Sequence, residues 1–186
     1  MKPQSIIRRL RTCAQRFRAD RRGVSAVEFA LIAPFLITLY LGGVEVTQAV
    51  SVNRKTTLVA HTVADLVAQD TNVSNSEMTD ILAASATVAS PYTTSNLKVT
   101  VSSITIDAAG TATIDWSDSL NGTKRATGSV ITLPSALAVA NSSLIWGEVS
   151  YSYTPMFGWV MTGMLTLSDT IYMRPRITNT VTRSAS

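Results

Sequence analysis

The 186 residues carry 16 Lys/Arg, 12 Asp/Glu and a single cysteine, a length that suits one membrane helix and one domain of modest size. The formal charge of +4 is unevenly placed: residues 1–23 hold eight basic side chains against Asp20, a net +7, which leaves −3 for the rest. A basic arm that abuts an apolar run and precedes a mildly acidic remainder argues against nucleic-acid binding, and a lone Cys13 excludes a disulfide framework.

In chain order, Ser5 to Ala19 reads as a basic amphipathic helix, with Ile6, Ile7, Leu10, Ala14 and Phe17 on one side, lying along the cytoplasmic membrane face. From Val24 to Val44 there are 21 residues with no charge except Glu28. About 20 apolar residues are what a helix needs to cross a bilayer. The Lys/Arg excess before the span marks its cytoplasmic side, so the chain beyond Val44 is expected outside. A carboxylate within hydrocarbon costs on the order of 2.5–3.5 kcal/mol and usually has a partner. Cutting between Gly23 and Val24 would create one, because a freed α-amino group titrates near pH 8. Glu28 would then pair with the Val24 ammonium of a neighbouring copy. Two other fates stay open: secretory cleavage near Thr47-Gln48-Ala49, or an uncut anchor.

The helical pattern continues past the span. Val52, Thr56, Val59, Val63, Leu66 and Val67 recur at spacings of three and four, which predicts one helix of about 45 residues and roughly 70 Å from Val24, loosened at Pro34. Ser74 and Glu77 form a capping-box pattern ahead of a short helix through Met78, Ile81, Leu82 and Ala86 that ends before Pro91. From Leu97 the period becomes two: Leu97, Val99 and Val101, a phase shift at Ser102-Ser103, then Ile104 and Ile106. A turn at Asp107 to Gly110 leads into Thr111 to Ser117, where Ala112, Ile114 and Trp116 are expected to face one way. Asp118 to Thr127 reads as loop and Pro134 to Leu137 as the start of a short helix. Ser143 to Thr154 and Leu165 to Met173 form a second antiparallel pair. The expected fold is α+β: a long N-terminal transmembrane helix as spine, a short second helix and an antiparallel sheet of about four strands. The expected divisions are a leader at 1–23, the span at 24–45, its helical extension at 46–70 and a globular domain at 71–186.

Candidate chemistry is sparse. His61 is the only histidine, and Asp65 one turn on makes a solvated pair rather than a metal site. Asp107, Asp115, Asp118 and Asp169 match no calcium loop and read as turn and strand-end residues. No catalytic set, metal site or cofactor is expected. Glu45 reads as the outer membrane boundary, with pairing to a neighbour's Arg54 or Lys55 as the sharper alternative. The stretch Pro155 to Met164, containing Phe157, Trp159 and Met161, is unusually apolar for a strand connection. It is either a loop over the sheet core or an interaction patch for another subunit or the membrane surface.

The stretch RRGVSAVEFALIAPFLITLYLGGVEV, with Arg21, Arg22 and Gly23 before the cut, Val24 after it and Glu28 at the fifth position beyond, resembles the start of the TadE/TadG-like pseudopilins of tight-adherence (Flp, type IVb) pili. Glu148 to Gly158 (EVSYSYTPMFG) and Tyr172 to Arg176 (YMRPR) resemble further motifs of such proteins. The resemblance implies a pilin-like fold, processing by a prepilin peptidase and a role in pilus assembly or surface adhesion. The implied partners are other pilin and pseudopilin subunits, the bacterial inner membrane and the tight-adherence assembly platform. It implies a substrate of an enzyme, not an enzyme. A permanently anchored periplasmic binding or sensory domain is the alternative.

Overall fold

A computed structural model describes residues 23–158 and 162–184. The leader helix expected over Ser5 to Ala19, the basic pair Arg21 and Arg22, and Trp159 and Met161 of the apolar connection lie outside the described residues. The chain divides between Val44 and Glu45 into two compact units. Helix α1 is continuous over Val24–Ala68, 45 residues with Pro34 inside it.

Within residues 45–186, α1 lies on one face of a five-stranded antiparallel sheet of order β4-β3-β2-β5-β6, formed by β2 (Leu97–Ile106), β3 (Ala112–Leu120), β4 (Val130–Ile131), β5 (Ser142–Tyr153) and β6 (Leu165–Met173). Val52, Val59, Val63 and Val67 return to the same helix face every four or seven residues and are fully buried there. Each such side chain contributes about 1.5–3 kcal/mol of burial. Opposite them stand Leu97, Val99, Val101, Ile145 and Val149. Helix α2 (Asn75–Thr87) adds Met78, Leu82 and Ala86 to the same core. Its start is the predicted capping box: Glu77 N–H donates to Ser74 Oγ at 3.3 Å, and Ser74 N–H donates to Glu77 Oε2 at 2.8 Å.

The sheet has a second, smaller core on its other face: Ile104, Ile106, Ala112, Ile114, Leu144 and Trp146, overlain by Ile131, Leu133 and Leu137. The predicted phase shift in β2 is what divides the two. Odd-numbered residues up to Val101 face α1, whereas Ile104 and Ile106 point away. The register with β3 slips between Ser103 and Ile104, so that Ser103 opposes Trp116 while Ile104 opposes Ile114. This bulge corrects one expectation. Ala112, Ile114 and Trp116 do not share a face, because Trp116 belongs to the α1 core and donates its indole N–H to the Val181 carbonyl at 2.8 Å.

Three further differences are local. The sheet has five strands rather than about four, because the two-residue β4 pairs with Ala112 and Thr113. Strand β3 runs on to Leu120, into the stretch read as loop. Pro134 to Leu137 forms a turn closed by Leu137 N–H to the Pro134 carbonyl at 2.8 Å, not a helix. Finally, β1 (Asn72–Val73) pairs in parallel with β7 (Thr182–Arg183), tying the end of the chain to the segment between the two helices.

Candidate functional site

The membrane-directed part of α1 is defined by what its side chains lack. Val24, Val27, Phe29, Leu31, Phe35, Leu39 and Tyr40 are all exposed in the monomer. The most apolar window of this helix is long enough to cross a bilayer and none of it is buried within the protein. Pro34 supplies no N–H, and its own carbonyl accepts a 2.8 Å bond from Thr38 Oγ1. Gly23 is exposed, with nothing within 4 Å of where a Cβ would stand. Glu28 is exposed and lies one turn from Val24, on the same helix face.

Just past this segment, the second compact unit encloses its first residue. Glu45 is fully buried. Tyr153, at the end of β5, donates its hydroxyl to Gln48 Oε1 at 3.3 Å. Burial, then the negative charge of Glu45, pushes the Tyr153 hydroxyl above its ordinary pKa. Lys55, considered above as a partner for a neighbour's Glu45, instead donates to the Val88 carbonyl at the C-terminal end of α2, 3.2 Å away. That cation complements the negative end of the helix dipole.

The polar half of the sheet face remote from α1 forms an open groove of about 940 Å³, with Lys98, Thr100, Ser150, Ser168 and Thr170 on its floor. Arg125 and Glu148 line it and belong to a charged and aromatic stack. Arg125 binds Glu148 through two parallel hydrogen bonds of 2.7 and 2.6 Å while its guanidinium lies 3.9 Å over the Trp146 ring. Trp146 in turn stacks on Tyr172 at 5.5 Å and 16°. The hydrogen bond to Glu148 holds the guanidinium more firmly protonated, and burial raises the Tyr172 hydroxyl. Reading the sequence did not assemble this cluster. The β5 alternation places Trp146 and Glu148 on one face, but only pairing with β6 brings Tyr172 to them, and the loop after β3 brings Arg125.

Each aspartate singled out in the sequence has a partner. Asp118 is bound by Lys124 at 2.5 Å and Arg183 at 2.7 Å, Asp115 by Thr105, and Asp169 by Thr57 of α1. Asp107 closes its turn by accepting from Thr111 N–H at 2.8 Å. Asp65 pairs with Arg176 and accepts from Gln69 at 2.7 Å, with His61 not among its partners. Among the described residues no three His, Cys, Asp or Glu side chains converge as metal ligands. In the apolar connection, Met156 and Phe157 are exposed, whereas Pro155 is buried.

A long helix whose apolar, uncovered stretch is long enough to cross a membrane, and whose later part packs on an antiparallel sheet, defines an α+β protein consistent with membrane anchoring. Residues 23–65 match the family model described as TadE-like protein, a segment that runs from Gly23 through the apolar stretch into the sheet-packed part of α1. That match is consistent with a TadE-like protein of tight-adherence pilus systems, in line with the resemblance read from the N-terminal stretch. No curated protein and no solved structure matches the chain.

Proposed function

We propose that the chain is a minor pilin or pseudopilin of a tight-adherence pilus. It is made as a single-pass inner-membrane precursor, cut after Gly23 by a prepilin peptidase, and handed by the assembly platform to the filament or to the complex that primes it. One observation carries the reading: α1 is a single helix whose apolar residues before Val44 have no cover in the monomer, whereas those from Val52 on are the core of a folded domain. Bilayer covers the first set before assembly, and helices of other subunits cover it afterwards. In this scheme Arg21 and Arg22 hold the leader at the cytoplasmic face, Gly23 gives the peptidase an unhindered scissile junction, and Val24 contributes the new ammonium. Glu28 supplies its counter-charge on a neighbouring subunit and sets the stagger. The chain is thus a substrate and building block, with no catalytic role of its own.

The intact mass of the protein purified from membranes tests this. A polypeptide beginning at Val24 supports it, and one retaining Met1 overturns it. The groove bounded by Lys98, Arg125 and Glu148 favours one second reading, a permanently anchored periplasmic binding domain. That reading requires the uncut mass.

A further inference from the structure

We propose that the groove on the sheet face remote from α1 binds an acidic oligosaccharide, a run of sugar rings bearing carboxylates. The inference holds for a cut or an uncut chain and draws only on residues 45–186. Two rows of side chains cross the groove. Lys98 of β2 opposes Ser150 of β5, which opposes Ser168 of β6; two positions along, Thr100 opposes Glu148, which opposes Thr170. Neighbouring strands lie about 4.8 Å apart, so each row offers polar groups at close, regular steps. The side chains of Lys98, Ser150 and Ser168 bond no other residue among the described residues. Among the described residues that line the groove, only Val149 has an apolar side chain. An apolar ligand would strip water from the others and give no hydrogen bond in return. A sugar hydroxyl both donates and accepts, as serine and threonine hydroxyls do, so each can satisfy the other.

The main chain of β2 and β5 is already paired on both sides, so an extended peptide would find no free ladder here. Charge then selects acidic sugars over neutral ones. Residues 24–186 carry a net charge of −3, yet Lys98, Lys124 and Arg125 all line the groove. Its carboxylates are engaged: Glu148 by the paired bonds from Arg125, and Asp169 by Thr57 of α1 on the opposite face. Lys98 has no counter-ion among the described residues, and a ligand carboxylate would supply one. The loop after β3 that also lines the groove is held before any ligand arrives. Asn121 donates to the carbonyls of Thr94 and Leu97, each at 3.0 Å, and Arg125 N–H donates to Ser117 Oγ at 3.0 Å. A Cβ on Gly122 would stand 2.5 Å from Ser119 Oγ, so the loop backbone sits directly on the sheet. A site fixed in advance loses little freedom on binding.

The test is titration calorimetry on the full-length chain in dodecylphosphocholine, a detergent without a sugar headgroup. Tetragalacturonate carries a carboxylate on every ring and hyaluronan hexasaccharide on alternate rings; saturable binding of either supports the proposal, and the tighter of the two reports the spacing that Lys98 reads. Chitotetraose, which lacks carboxylates, and hexaglutamate, which lacks ring hydroxyls, should each bind at least about tenfold more weakly. Lys98→Gln should weaken the acidic sugar by about tenfold or more, and Ser150→Ala with Ser168→Ala by about three- to tenfold. Arg54→Gln, which removes an exposed cation of α1 away from the groove, should change nothing. No saturable heat from either acidic sugar would overturn the proposal. Equal binding of hexaglutamate would overturn it in favour of an acidic peptide, and equal binding of chitotetraose would remove the role of charge and overturn it as well. A loss in Arg54→Gln matching that in Lys98→Gln would reduce the effect to net charge and overturn the site. The comparison of the four ligands on the parent chain decides the matter even where a variant fails to fold.

Discussion

The carbonyl oxygen of Ala60 on α1 stands 2.9 Å from where a Cβ on Gly147 of β5 would lie. Ala64, one turn further along, would meet the same atom at 3.2 Å, and Ile171 of β6 at 3.2 Å. The helix therefore lies against the middle strands at a distance that only glycine permits. Gly147→Ala should push α1 off the sheet and destabilise the domain by about 1–3 kcal/mol. Because the tightest contact is with backbone, adding Ala64→Gly should recover little of the loss. Thermal unfolding of single and double variants in detergent measures both, and full recovery would show that side-chain crowding alone was at issue.

Asp118 gives the domain a defined acid sensitivity. Burial alone would raise its carboxyl pKa, but the hydrogen bonds from Lys124 and Arg183 outweigh burial and hold it below the ordinary value. A carboxyl depressed in the folded state stabilises fully above its unfolded value, about 3.9, and that contribution fades as pH falls toward the folded value. Asp118→Asn should lower stability at neutral pH by about 1–3 kcal/mol, since Arg183 and Lys124 lose their shared counter-charge. It should also flatten the decline in unfolding midpoint below about pH 4. A variant whose acid limb matches the parent's would show that other carboxylates control it.

Arg125 is held by geometry as well as by charge. Lysine can neither make the paired bonds to Glu148 nor lie flat on Trp146. Arg125→Lys should cost about 1–2 kcal/mol and change the emission of Trp146. Unaltered fluorescence and stability would reduce the stack to a surface ion pair.

At the N-terminal junction, Gly23→Phe should leave full-length precursor in the membrane, and normal shortening on an immunoblot would refute the site. Glu28→Ala should be cut normally yet fail to enter filaments. Removing one partner from a buried ion pair typically costs about 3–5 kcal/mol. Equal recovery of Glu28→Ala and parent in sheared filaments would count against charge pairing.

Features that depend on neighbours in sequence were legible in it. The Ser74–Glu77 box, the β2–β3 hairpin and the 45-residue helix all follow from spacing within a few turns or residues. What escaped depends on partners far along the chain. Trp116 reverses face because Asp115 is the extra residue of a bulge that pairing with β2 creates, and strict alternation had placed it with Ile114. Strand β4 is too short to carry a pattern, and β1 exists only because Thr182 and Arg183 come back to it. That Glu45, read as the outer membrane boundary, is buried was not legible, since no local signal tells that the domain closes over it. The Arg125, Glu148, Trp146 and Tyr172 assembly was hidden for the same reason, as it draws on a loop and two strands.

The pairing of Asn72 with Thr182 spans 110 positions, and it dictates the order in which the chain can mature. At a synthesis rate of 5–20 residues per second, the last strand emerges about 5–20 s after its partner. The valine stripe of α1 has its sheet sooner, since β2, β3 and β5 are all complete at Tyr153, whereas the segment between the two helices stays untied until Arg183 arrives.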